Sequence, residues 1–224
     1  MTQPSPLSST LIVGPEDAAE YLLKMDIDPA WIATAISNGE VAAGNITTDH
    51  PITAAGLVRW IEVVGALRRQ LTESDKWDRD NPQNRPISKR RGTQFTLSTV
   101  GGDEATGITD SFGPKAARRK GKATGEAVNG VMSLISIETL RGNSTASDSP
   151  DTPPSGNWFL VYHRAEDEIR LEVSLPRHFD VEAGQFDDWQ VRVILDSWKP
   201  DGISGRKPQD VGGQDVDFRV IEAG

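Results

Sequence analysis

The stretch EIRLEVSL, residues Glu168 to Leu175, decides the fold. Ile169, Leu171, Val173 and Leu175 alternate with Arg170, Glu172 and Ser174. A period of two places one set on each face of a β-strand. One apolar and one polar face predict an antiparallel hairpin with its second side in water. Trp189, Val191, Val193 and Leu195 repeat the alternation downstream. Upstream, Trp158 to His163 reads as a partner strand, with Arg164 to Asp167 as the polar turn between them. The C-terminal third is therefore expected to be a meander, with a Gly/Pro-rich loop at 199–215 and a short last strand at Phe218–Ile221.

The pattern changes towards the N-terminus. Pro15-Glu16-Asp17 opens one helix, and Asp28-Pro29 opens a second that Asn38-Gly39 should end. A longer helix follows from about Thr53 to Thr72, with Ala54, Leu57, Trp60, Ile61, Val64 and Leu67 as its apolar stripe, which makes Trp60 a core residue. Thr93–Val100 reads as a strand stopped by Gly101-Gly102, and the first half of 123–137 as a helix. The expected fold is α+β: an N-terminal helical cluster packed with a mainly antiparallel sheet and one central helix. Its parts are a flexible arm at 1–14, a helical region at 15–72, a polar connector at 73–92 and a sheet region at 93–224. The last carries a Ser/Pro-rich low-complexity loop at 141–156.

Composition narrows the function classes. The chain has 224 residues and no cysteine, which removes disulfide frameworks, thiolate metal sites and Cys nucleophiles. The N-terminus lacks the basic start and apolar run of a signal peptide. No stretch approaches the ~18 apolar residues of a membrane span. The expectation is a cytoplasmic protein with no membrane partner.

The net charge of −9 argues against nucleic-acid binding over the whole surface. The charge is uneven, however. Trp77 to Thr124 holds ten Lys/Arg against five Asp/Glu, a local +5 on a remainder of −14. This stretch contains the candidate site, GGDEATG at 101–107 followed by GPKAARRKGKAT at 113–124.

The second segment is not a phosphate loop of the P-loop type. Seven residues separate Gly113 from Gly121, and Ala123 rather than a hydroxyl residue follows Lys122. It nevertheless has the parts of an anion site. Gly121 admits close backbone approach, Thr124 caps a helix start, and Arg118, Arg119, Lys120 and Lys122 surround it. The leading expectation is a non-enzymatic binding or accessory protein whose basic loop engages a phosphate-bearing partner, a nucleic acid or a nucleotide.

A second reading is a metal-dependent hydrolase or nuclease. It takes a divalent metal as cofactor, held by Asp103 and Glu104 at the strand end together with Glu172. The third is a structural protein that binds another chain through its acidic sheet face. His50, His163 and His178 have no zinc-ligand spacing, and no Gly-x-Ser-x-Gly elbow is present. Trp77 and Trp198, in polar surroundings, are the candidates for exposed stacking aromatics.

Overall fold

Among the described residues seven strands form one mixed sheet in the order β1-β7-β6-β5-β4-β3-β2. The structure is a computed structural model, and it describes residues 9–109, 111–130 and 152–200. The expected strand at 218–221, most of the loops at 141–156 and 199–215, and the second half of 123–137 lie outside the described residues.

In chain order the elements are β1 (Leu11–Val13), α1 (Pro15–Leu23), α2 (Pro29–Gly44), α3 (Ala54–Glu73), β2 (Trp77–Asp80), β3 (Ile87–Arg90) and β4 (Phe95–Gly101). A fourth helix, α4, occupies 122–130. The sheet resumes with β5 (Gly156–Arg164), β6 (Ile169–Asp180) and β7 (Gln185–Trp198). The chain is thus α+β, but its sheet is mixed. Four pairings are antiparallel, while β1 with β7 and β4 with β5 are parallel.

The helices start where local chemistry says they should. Pro15 and Pro29 occupy first-turn positions, and Asp28 accepts a hydrogen bond from Ala30 N at 2.8 Å. The second helix does not end at Gly39 but continues to Gly44. Gly39 is buried where α2 meets α3, and a Cβ there would overlap Val63 Cγ2. The glycine serves a helix crossing, not a helix end.

These three helices share one core with a single face of the sheet. Leu22, Ile32, Ile36, Val63 and Leu67 pack with Trp158, Leu160, Leu171, Val173 and Val193. Each such side chain, fully buried, contributes ~1.5–3 kcal/mol. The opposite face carries a second cluster of Phe159, Val161, Phe179, Phe186 and Trp189, closed by Ala116 and by Val128 of α4.

That second cluster overturns the expectation of a wet sheet face. Glu172 and Ser174 are fully buried, because the connection from β4 to β5 lies across them. No acidic sheet face is left there for a partner chain. The flexible arm and the polar connector change too. Residues 11–13 pair with β7, and 73–92 contains β2, β3 and a short 3-10 turn. Trp77 is not an exposed platform: it is fully buried and donates from Nε1 to Asp26 O at 3.1 Å. Trp198 is partly buried against the helix-side core.

The stripe on α3 is rotated from its expected position. Arg59, Val63, Val64, Ala66, Leu67 and Leu71 are its buried residues, whereas Leu57 and Ile61 are exposed. Trp60 is half-buried rather than a core residue. Arg59, a cation, occupies the interior in place of the expected leucine.

Candidate functional site

β4 and β5 end side by side, with Gly101 in register with Tyr162. Beyond that point they diverge, β4 into residues 102–121 and β5 into the turn towards β6. Where neighbouring parallel strands end and their connections part, the backbone leaves a crevice, which is where open sheets commonly take ligands. Here a cavity of about 410 Å³ opens between the first half of α3 and residues 117–120.

The far wall is fixed by backbone hydrogen bonds. Gly102 N donates to Tyr162 O at 2.8 Å, and Ala117 N donates to Gly101 O at 2.8 Å. The chain therefore leaves at 102 and returns alongside itself at 116–117, enclosing the GGDEATG turn. Asp103 closes this turn by accepting from Ala105 N at 3.2 Å and Lys115 N at 3.1 Å. Gly102 is required by space, since a Cβ there would overlap Thr106 Oγ1 and Val161 Cγ1.

Residues 117–120 are anchored on the hairpin turn between β6 and β7. Lys120 N donates to Gly184 O at 2.9 Å, and the Arg119 guanidinium donates to Ala183 O and Glu182 O. Arg118 and Lys120, on either side of Arg119, line the cavity.

The floor comes from the helix layer. Arg59 of α3 and Arg164 at the end of β5 both donate through Nε to Glu40 of α2, one to each carboxylate oxygen. Arg59 is only 4 % exposed. Two guanidiniums thus share one carboxylate, leaving a net positive charge inside the wall. A guanidinium carries five N–H donors. The Nη groups of Arg59 take no acceptor among the described residues, while the side chain lines the cavity.

The Lys120 amine adds to this charge. Burial, and then the Arg118 charge, push its pKa below that of an ordinary lysine. No carboxylate among the described residues pairs with it. His163 lies in the same wall, with Nδ1 3.2 Å from Gly102 O. A carbonyl only accepts, so Nδ1 carries the hydrogen and a neutral ring leaves Nε2 as an acceptor. On the α3 side the wall is apolar. Trp60 donates from Nε1 to Thr99 O at 3.0 Å, which fixes its indole, and Leu57 stands one turn before it, 51 % exposed.

The six residues expected to bind phosphate do not gather together. Arg118 and Lys120 line the cavity, but Arg119 is turned to the β6–β7 hairpin. Lys122 is exposed and pairs with Glu126 at 3.2 Å, one turn along α4. Gly121 is also exposed, and a Cβ on it would meet nothing within 4 Å, so close approach does not require glycine there. Thr124 is buried in the first turn of α4, where its N donates to Gly121 O at 3.0 Å.

Asp103, Glu104 and Glu172 do not form a cluster either. Among the described residues no group of three acidic or histidine side chains could hold a metal. Both Glu172 oxygens are engaged. Arg192 donates at 3.1 Å from Nε to Oε1 and at 2.6 Å from Nη2 to Oε2. Ser174 Oγ adds 2.7 Å to Oε1, and Gly107 N adds 2.9 Å to Oε2. Arg192 also reaches Ser111 O at 3.1 Å, so the pair ties the acidic turn to the sheet.

Sequence reasoning missed Glu40, Arg59, Arg164 and the position of Trp60. The available signal was Arg59 itself, a lone cation within the apolar run Leu57–Ile61. Compared with known proteins, the chain matches no family model, no curated protein and no solved structure. Among the described residues no helix is long and apolar enough to cross a membrane.

Proposed function

We propose that the chain is a non-enzymatic binding or accessory protein that holds a phosphate-bearing ligand, a nucleotide or a nucleic-acid phosphate, in this cavity. One observation carries the reading. Arg59 is nearly fully buried, shares the Glu40 carboxylate with Arg164, and lines the cavity with donors that take no acceptor among the described residues. An uncompensated charge away from water is costly. A bound anion would relieve that cost through short, charge-assisted hydrogen bonds, and Lys120 and Arg118 would close on it from the opposite wall.

The acidic remainder of the chain favours a local contact over a broad one. No carboxylate cluster among the described residues supports the metal-dependent alternative. Isothermal titration with phosphate, nucleotides and short oligonucleotides at two salt concentrations tests the proposal. Binding should weaken with salt and be lost in a Lys120→Ala, Arg118→Ala double variant, yet persist in Lys122→Ala. Absence of binding by every phosphate, or indifference to the double variant, overturns it.

A further inference from the structure

We infer that the ligand is a single nucleotide, with its phosphate on the Arg59, Arg164 and Lys120 side of the cavity and its base against Trp60. This rests on the anion reading above and adds the chemistry of the rest of the ligand.

The cavity has two kinds of wall. Cations gather at its floor and along 118–120, whereas the α3 wall presents Leu57 and Trp60. A helix that buries Arg59 and leaves Leu57 half exposed has not been arranged for its own packing. The arrangement suits an occupant with a charged end and a flat, weakly polar body. Trp60 is prepared for such a body. Its Nε1–H is already satisfied by Thr99 O at 3.0 Å, so the ring is held in place while part of it stays open to the cavity. Stacking on a fixed aromatic ring needs no hydrogen bond from the wall and tolerates any base.

Size and charge select one nucleotide over a strand. About 410 Å³ admits a base, a sugar and a phosphate group but no run of them. A strand would lay further phosphates over a body of net charge −9, and among the described residues Phe112 stands fully exposed by itself, not in the row of aromatics that successive bases need. Trp77, one of the two aromatics expected at the surface, is fully buried.

The test is calorimetric titration of the full chain with inorganic phosphate, ribose 5-phosphate, adenosine monophosphate, hexyl phosphate and a short oligothymidylate. Adenosine monophosphate should bind about tenfold tighter than ribose 5-phosphate, the increment one stacked base provides. Trp60→Leu should remove that tenfold gap and leave ribose 5-phosphate affinity unchanged, while Trp60→Phe should keep most of it. The inference is overturned if ribose 5-phosphate or hexyl phosphate binds as tightly as adenosine monophosphate. It is equally overturned if the oligonucleotide binds tighter per nucleotide, or if Trp60→Leu weakens every phosphate alike. Failure of all five ligands to bind would instead remove the anion reading beneath it. Because the ligand series on the unmodified chain decides by itself, a poorly folding Trp60 variant does not block the result.

Discussion

Glu172 with Arg192, both fully buried, and buried Arg59 with the part-buried Glu40 and Arg164 are acid–guanidinium groups on opposite sides of one sheet. In the first, each carboxylate oxygen accepts two hydrogen bonds, and the guanidinium also reaches the carbonyls of Ser111 and Ala105. Charge is balanced one to one. In the second, one carboxylate serves two guanidiniums beside an open cavity. The first group is saturated, whereas the second keeps donor capacity beside the cavity, which is what the proposed anion would use. Burial alone does not separate the two, since Arg59 and Arg192 are both hidden from solvent.

The sharpest way to break the comparison is to remove one partner on the saturated side. Glu172→Gln strands the Arg192 charge and should lower unfolding free energy by about 3–5 kcal/mol in a urea titration. Ligand affinity of the remaining folded protein should be unchanged. On the other side Arg59→Met should cost less than about 1.5 kcal/mol, because Glu40 keeps Arg164 and an apolar side chain of similar length fills the space. The same variant should weaken phosphate binding at least tenfold. Equal stability losses at the two sites would erase the distinction.

A pH titration of affinity sharpens it further. The Lys120 pKa is lowered by burial, so its charge is lost at lower pH than that of an exposed lysine. Anion affinity should therefore fall severalfold as pH rises towards 10.5, the ordinary lysine value, with the fall centred below it. Lys120→Arg should flatten the profile. The stability sign is the reverse: the buried ammonium costs stability at low pH, and that cost is relieved as pH rises through the folded pKa.

The smallest effect belongs to Tyr21, whose hydroxyl is buried with no hydrogen-bond partner among the described residues and does not line the cavity. Tyr21→Phe should be neutral or stabilise by about 1 kcal/mol in thermal melts, as expected for an unsatisfied group with no function. Burial raises the phenol from 10.0 to about 12. Unfolded chains ionise first, so stability should fall as pH climbs between those values, and the Phe variant should lack that fall.

These contrasts explain what the sequence disclosed. EIRLEVSL reads as a strand because alternation is local, and β6 takes it up from Ile169 and continues to Asp180. Which face meets water is not local: it depends on a connection folding back over Glu172, with Gly107 N, 65 residues earlier in the chain, bonded to it. β2 and β3 are four residues each, too short for a period to emerge from WDRD or ISKR. The basic run was legible as a cluster of charge but not as a geometry. Arg118 and Lys120 share a wall while Arg119 faces away. The helix pattern around Leu57, Trp60 and Ile61 was real, but α3 turns that stripe towards the cavity and solvent instead of the core.

The pairing of β1 with β7 has a consequence for biogenesis. Leu11 is in register with Val191, so this edge strand waits for a partner synthesised 180 residues later. The parallel β4–β5 pair likewise cannot form until its long crossover is complete. Contacts this distant in sequence make folding slow and leave apolar strands unpaired in the interim. During synthesis Leu11, Ile12 and Val13 stay without their partner until β7 is made, and in that interval the nascent chain is most in need of protection from aggregation.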